Sequence, residues 1–343
     1  MKNMKIIFFG TDENARLVLQ TLLISLHNIL LVVTAPDKIR SRGTKKSPAP
    51  VKRFCVDNKV SYSEEIPEVK DLNNLSPDII IVASYGKIIP SEIINLPKYG
   101  SLNLHPSFLP KYRGPSPVHT AIKNGDESFG VSIIKLSEDI DAGPIIMQKE
   151  YDPADNWEKN TPKKGPFLNV LRPSTKLLTT SLFIEGTEEI LNILEKPSII
   201  KNAKAQDHSL ATMTKKIEKK DGHINWNKPK REIEDLIRAF NDGNNSSYSY
   251  LDGQRIKILN LGLAPLEDYL KDVSRLPERK VGSIVYFHQW QKSDPLIVTT
   301  KNDYIVINEL QLEGKAKISG EEFINGTLKQ KNNYSYENPP ILN

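Results

Sequence analysis

Apolar residues in the first half of the chain fall into short unbroken runs, with helix-spaced stretches between them. Ile6–Phe9 is such a run and ends at Gly10, which predicts a buried strand followed by a turn. Thr11–Asn14 offers capping side chains, and Leu19, Leu22, Leu23 and Leu26 recur at helical spacing within Ala15–Leu26. Ile29–Thr34, Asp78–Ala83 and Ser101–His105 predict further strands, and Ala49–Asn58 a helix carrying Val51, Phe54 and Cys55 on one side. Val131–Leu136 and Ile145–Tyr151 read as a strand pair separated by an Asp/Gly turn. Continuous apolar strands alternating with helices are the pattern of a mostly parallel sheet covered on both faces. Residues 1–200 are therefore expected to form a doubly wound α/β domain, in which ligands bind beyond the carboxyl ends of the strands.

The pattern then changes. Asp152–Pro173 is rich in Pro, Lys, Asn and Asp, has little periodicity, and reads as a loop or insertion. Leu177–Leu194 returns to helical spacing. Residues 201–225 read as a basic linker, with Lys201, Lys204, Lys215, Lys216, Lys219 and Lys220. Ile233–Phe240 predicts a short amphipathic helix. Arg255–Leu261, Gly282–Phe287, Leu296–Thr300 and Tyr304–Leu310 are strand candidates whose spacing suggests a small β-barrel within residues 226–330. The tail, residues 331–343, is polar and expected to be disordered.

Composition narrows the function classes. The longest apolar runs fall far short of the ~20 residues of a membrane span, which excludes a transmembrane helix. The one cysteine, Cys55, excludes an intrachain disulfide and a cysteine-based zinc cluster, and it suits a reducing compartment. The first apolar run is too short for a secretory signal, and no Arg-rich presequence is visible. Lys and Arg number 47 against 42 acidic residues, a net charge of +5, which permits an anionic partner without requiring one.

Gly10 stands alone after the first strand, so the glycine-rich dinucleotide fingerprint is missing, and there is no P-loop lysine. No histidine pair has metal-ligand spacing, and no metal is expected. Asn103 and His105 are two apart on a strand that Pro106 ends, so both side chains leave one face at its carboxyl end. An amide donor beside an imidazole can polarise a carbonyl and move a proton. A strand-end histidine bonded to backbone is the plain alternative. Asp139 and Asp141 lie beyond Val131–Leu136, with Gly143 permitting a tight turn. A carboxylate near an imidazole can fix its tautomer or stabilise its cation, although an ordinary acidic turn has the same pattern. Lys38, Arg40, Arg42, Lys45 and Lys46 follow the strand Ile29–Thr34 with no acid among them. Such a loop can grip phosphates or simply be solvated.

Together these segments resemble the methionyl-tRNA formyltransferase family. The most specific match is Asn103-Leu-His-Pro-Ser-Phe-Leu-Pro110 with Arg113-Gly-Pro-Ser-Pro117. Gly10-Thr11, Ser47–Lys52, Ser84–Pro90 and Asp141-Ala-Gly-Pro144 are similar to further family segments. Ala211–Ile217, Asp221–Trp226 and Ile237–Asn241 follow in the family's order, and the resemblance runs from residue 4 to about residue 330. It implies a Rossmann-like formyltransferase domain, a linker and a C-terminal OB-like domain that binds tRNA. It implies transfer of the formyl group of 10-formyltetrahydrofolate to the α-amino group of methionyl initiator tRNA, by direct acyl transfer through a tetrahedral intermediate. On the same resemblance Asn103, His105 and Asp141 form the catalytic triad. Ser107, Phe108, Leu109 and Pro110, with Tyr85 and Gly86, contact folate. Lys38, Arg40, Arg42, Lys45 and Lys46 bind the tRNA acceptor end.

The chain departs from bacterial members at Asn241-Asp-Gly-Asn-Asn245 and in Asp152–Pro173. Ile318–Thr327 looks more like organellar eukaryotic members, so the mitochondrial matrix is the expected compartment and the bacterial cytoplasm the alternative. A monomer with no membrane association is expected. Competing readings are an enzyme using the same folate donor on glycinamide ribonucleotide or an amino sugar nucleotide, and a non-catalytic tRNA-binding protein.

Overall fold

The computed structural model describes residues 3–39, 46–152, 172–243, 245–262, 280–285, 295–330, 334 and 339–343. Arg40, Arg42, Lys45 and residues 153–171 of the expected insertion lie outside the described residues. The chain divides into two compact units. One comprises Met1–Val118, Ser128–Asp152 and Leu178–Lys216; the other comprises His119–Glu127, Pro153–Leu177 and Ile217–Asn343.

The elements up to residue 195 are β1 (Lys5–Gly10), α1 (Glu13–Ile24), β2 (Asn28–Val33), β3 (Lys38–Ile39), β4 (Lys46–Ser47), α2 (Pro50–Asn58), β5 (Tyr62–Ser63), α3 (Val69–Leu75), β6 (Ile79–Ala83), α4 (Ser91–Ile94), β7 (Ser101–His105), α5 (Pro117–Lys123), β8 (Phe129–Lys135), β9 (Ile145–Tyr151) and α6 (Thr175–Glu195). Seven strands form one sheet in the order β5-β2-β1-β6-β7-β8-β9. Pairing is parallel from β5 to β7 and antiparallel at β8 and β9. The apolar runs explain its centre: Ile6–Phe9 and Ile79–Ile81 are wholly inaccessible, as strands covered on both faces must be. The chain runs outward from β1 to β2 and β5, then returns to place β6 on the other side of β1. Such a reversal opens a crevice at the carboxyl ends of the strands beside it.

Helix α1 stops two residues short of the expected Leu26. The Ser25 hydroxyl donates to Leu22 O at 2.6 Å and closes the last turn, and Leu26 is left exposed.

The second unit holds α7 (Lys230–Ala239), β10 (Ser247–Leu251), β11 (Gln254–Leu261), β12 (Leu296–Thr299), β13 (Tyr304–Leu312), β14 (Lys317–Ser319) and α8 (Gly320–Phe323). An antiparallel, curled sheet of order β10-β11-β13-β12, with β14 on β13, makes an OB-like half-barrel. Its core includes Trp226, Ile233, Ile237, Ile256, Ile258, Leu310 and Phe323. Strand β10 escaped the hydrophobic pattern because two of its inward positions, 247 and 249, are serines. Ser247 and Ser249 are fully buried, and their hydroxyls bond Leu236 O, the Trp226 indole and Asn343 O. Of the expected strand Gly282–Phe287, Ser283 and Ile284 form isolated bridges.

Two expectations meet a different structure. The end of the supposedly disordered tail is packed: Ile341 bridges Ser283, and Leu342 is buried in the half-barrel core. Within the supposed linker, Thr212 O accepts from Arg113 N at 2.8 Å, and Thr214 N donates to Arg113 O at 2.7 Å. Backbone pairing thus ties this stretch into the first unit. Among the described residues, no helix is long and apolar enough to cross a membrane.

Cys55 lies fully buried in α2, and burial pushes its thiol up to about 11. At pH 8 it is therefore neutral, and the thiolate is the reactive form. The native protein should release no chromophore from an aromatic disulfide reagent at pH 8 and should titrate one thiol after unfolding in guanidinium. Rapid reaction of the native protein would contradict this.

Candidate active site

Strand β7 sits between parallel β6 and antiparallel β8, with Asn103 opposite Val82 and Ile134, and His105 opposite Ser132. The two-residue period buries Leu102 and Leu104 on one face and carries Asn103 and His105 on the other. Asn103 is half-buried and His105 buried. Beyond the end of β8, the turn to β9 brings in Asp141.

Asp141 connects the expected pair. Its Oδ1 accepts from Asn103 Nδ2 at 3.2 Å. Its Oδ2 accepts from Gly114 N at 2.8 Å and faces His105 Nδ1 at 3.4 Å. The other ring nitrogen, Nε2, lies 2.9 Å from Tyr112 O. A carbonyl can only accept, so Nε2 carries a hydrogen. With that hydrogen given to the backbone, the ring turns Nδ1 toward the carboxylate. The strand-end histidine thus bonds backbone, as the plain reading has it, and also meets a carboxylate. Asp139, the other acidic candidate, is exposed.

The turn is backbone-strained. Asp141 has φ +51°, a left-handed conformation that costs about 1–3 kcal/mol in a residue other than glycine. Gly143 must be glycine, because a Cβ there would stand 1.8 Å from Lys135 O. Gln206 Nε2 donates to Asp141 O at 2.8 Å and to Gly143 O at 2.7 Å. Its Oε1 accepts from Arg113 Nη2 at 2.7 Å and Arg113 Nε at 3.1 Å.

The segment Ser107–Pro110 is held from beneath by Ser132 of β8. That hydroxyl donates to Ser107 O at 2.6 Å and accepts from Leu109 N at 3.1 Å and Gln148 Nε2 at 2.9 Å. Ser107 and Leu109 turn inward and are buried, and the Phe108 ring occupies the space over Gly130. Pro110, joined by a cis peptide to Leu109, is half-buried.

Tyr85 and Gly86 follow β6 at the reversal in strand order. Gly86 is exposed, while the Tyr85 ring meets Phe9 edge-on at 5.2 Å. The Tyr85 hydroxyl is buried without a partner among the described residues, and burial pushes its pKa up. In the basic segment, Lys38 and Ser47 pair across a two-stranded β3-β4 hairpin. Lys52 follows it and pairs with Asp37 and Glu64, each at 2.7 Å; these bonds hold its ammonium well above the usual lysine range. A cavity of about 830 Å³ lined by Lys98, Tyr99, Lys135, Lys196 and Lys201 lies at the amino end of β7 and includes none of these site residues.

Sequence reasoning assigned no site role to Tyr112, Ser132, Gln148 or Gln206, nor to Arg113 and Gly114, which lie in the motif Arg113–Pro117. One signal was present for Ser132, a polar residue inside an otherwise apolar strand. Gln206 contributes from 65 residues beyond Asp141 and has no local pattern to mark it. Among the described residues, no cluster of three His, Cys, Asp or Glu side chains suits a metal ion.

The formyl transferase family model matches residues 4–161, and the formyl transferase C-terminal domain model matches residues 216–328. Methionyl-tRNA formyltransferase of Fusobacterium nucleatum is 33% identical over 328 residues, 94% of this chain and 97% of that protein. The Dictyoglomus thermophilum methionyl-tRNA formyltransferase is likewise 33% identical, over 94% of this chain and 97% of its own. The fold is shared with HypX from Aquifex aeolicus in complex with tetrahydrofolic acid, at TM-score 0.60 and 16% identity, over 99% of this chain and 51% of that one. It is also shared with the sugar 3N-formyl transferase WlaRD, at TM-score 0.57 and 19% identity, over 92% of this chain and all of that one. Identity at this level over nearly the full length of both proteins shows that the chain belongs to the methionyl-tRNA formyltransferase family.

Proposed function

We propose that this chain transfers the formyl group of 10-formyltetrahydrofolate to the α-amino group of methionyl initiator tRNA, in support of translation initiation. The observation that carries this reading is the Asp141 carboxylate reaching both the Asn103 amide and the His105 imidazole. The tRNA acceptor, rather than an amino sugar nucleotide, is supported by 33% identity to methionyl-tRNA formyltransferases along nearly their whole length. The folate donor follows from the family resemblance.

In the proposed reaction the unprotonated amine attacks the formyl carbon, and the carbonyl pair moves onto oxygen. Asn103 has a second amide hydrogen beyond the one given to Asp141, and in the proposed reaction a protonated His105 turns its Nδ1 hydrogen from Asp141 to the oxyanion. These donors stabilise the developing oxyanion, and one such donor is worth roughly 3–4 kcal/mol. Asp141 faces the His105 ring and takes the proton lost by the attacking nitrogen through a water. Collapse of the tetrahedral species breaks the bond to the folate nitrogen, which is protonated by that water or by His105. The sequence of bonds needs no covalent enzyme intermediate.

Folate contacts are assigned to Tyr85, Gly86 and Ser107–Pro110. The unpartnered Tyr85 hydroxyl supports a polar ligand group at that edge. Because the Ser107 and Leu109 side chains are buried, this segment would meet folate through backbone and through Phe108 or Pro110. The acceptor end of tRNA is assigned to the basic residues of the segment 38–46, and its body to the basic stretch 201–225 and the OB-like domain 226–330. The reported relatives are bacterial, which supports the bacterial cytoplasm over the mitochondrial matrix. We take the working form to be a monomer.

Formylation of charged initiator tRNA, compared with a 4-amino sugar nucleotide, tests the substrate. Exclusive use of the sugar nucleotide would overturn the reading, as would tRNA binding without formyl transfer. Asn103→Ala and His105→Ala should each lower kcat about 10²–10³-fold, with KM for tRNA little changed. Near-normal turnover of the His105 variant would sink its role. Arg42→Ala should weaken productive tRNA use and make the dependence on log[salt] shallower by about one unit. An unchanged salt slope would remove Arg42 from the acceptor contacts.

A further inference from the structure

The carboxylate of Asp141 can serve Asn103 and His105 only while its backbone stays left-handed, at φ +51°. The two carbonyls of that turn, Asp141 O and Gly143 O, both accept from Gln206 Nε2, at 2.8 and 2.7 Å. Carbonyls cannot donate, so the amide nitrogen of Gln206 must face them. Its oxygen then faces Arg113, which can only donate and reaches it through Nε and Nη2 at 3.1 and 2.7 Å. Arg113 Nη1 and Nη2 also lie 3.3 Å from His208 Nδ1, which must therefore be the acceptor. The chain of bonds has one polarity from end to end, and Gln206 and Arg113 are both buried.

The choice of an amide here is informative. A buried guanidinium ordinarily pairs with a carboxylate, yet among the described residues Arg113 has glutamine and histidine as its side-chain partners. A carboxylate at position 206 would pair better with Arg113. It would then have no hydrogen for Asp141 O or Gly143 O, and its charge would face two carbonyl oxygens. The residue that strengthens the ion pair is the residue that releases the turn.

We propose that Gln206 is a positioning residue for the reaction: it locks the Asp141 turn in its left-handed form, and Arg113 fixes which way the Gln206 amide points. This inference rests on the assignment of Asp141 to the chemistry under Proposed function. Gln206 touches neither substrate nor reacting atoms in this scheme. It acts through the aim of the Asp141 carboxylate.

The test uses the full-length enzyme, initial-rate formylation of charged initiator tRNA, and four variants: Gln206→Glu, Gln206→Met, Asp141→Asn, and Gln206→Glu combined with Asp141→Asn. Gln206→Glu should keep the native thermal transition, because Arg113 gains a carboxylate. It should lower kcat about 10–100-fold and leave KM for tRNA and for folate within about threefold. Gln206→Met, which removes both polar atoms, should show the same split and stands in if the charged variant does not fold. In the Asp141→Asn background, Gln206→Glu should cost less than about twofold further, since the two residues act as one unit. A kcat within twofold of the parent enzyme for Gln206→Glu or Gln206→Met overturns the proposal. So does full multiplicative loss in the double variant, which would mark a general structural role. If Asp141→Asn alone leaves kcat unchanged, the assignment of Asp141 fails instead, and the two failures are told apart.

Discussion

One carboxylate organises the site. Asp141 gathers a side-chain amide from β7, a backbone N–H from Gly114 and an imidazole from His105. Two of these groups come from the end of β7 and the third from the loop beyond it, and the carboxylate reaches them from the β8–β9 turn. A half-buried carboxylate surrounded by donors is well satisfied; the same carboxylate without them would carry a desolvation penalty. The turn, the strand end and the glycine loop are therefore mutually dependent, and each is stable in its conformation because the other two are present.

The sheet makes that meeting possible. Strand β7 is the last parallel member of the sheet, and β8 beside it runs the other way. Because β8 and β9 are antiparallel to each other, their connection is a short turn and not a crossover helix. An acidic turn of this kind can reach back toward its neighbour while staying attached to two strands. Ser132 adds a second link from the same strand, because its one hydroxyl makes three bonds to the segment after His105 and to Gln148.

Much of this was legible in the sequence, for definite reasons. Buried parallel strands advertise themselves as unbroken apolar runs, and β1, β6 and β7 were found within a residue of their bounds. Asn103 and His105 were placed on one face by the two-residue period alone, and Asp141 was a candidate from its position past a strand. Between Asp139 and Asp141 no pattern could choose, since the choice depends on a left-handed backbone at the second. Strand β10 was hidden because hydroxyls, not hydrocarbon, fill its inward positions 247 and 249, and the fit depends on partners as distant as Asn343. The end of the chain looked polar and loose, yet Leu342 completes the core of the half-barrel. Gln206 was invisible for the same reason: a lone amide has no signature until the fold brings carbonyls to its nitrogen.

Stabilising an oxyanion favours donors that do not have to move when charge develops. The Asp141 turn meets that demand through its backbone. With a side chain excluded at residue 143 by the Lys135 carbonyl, and with both turn carbonyls bonded to one amide, the direction of the carboxylate is set by main-chain geometry more than by rotamer choice. The contacts proposed for tRNA fall on other parts of the chain, the basic segment and the OB-like domain. A rigid reacting centre and separate recognition elements can diverge independently. The fold accordingly recurs at 16–19% identity in HypX and in a sugar 3N-formyl transferase, and by itself it does not choose among amines. A tRNA acceptor is supported instead by similarity that extends past the reacting centre, and the 33% identity to methionyl-tRNA formyltransferases runs through the second unit.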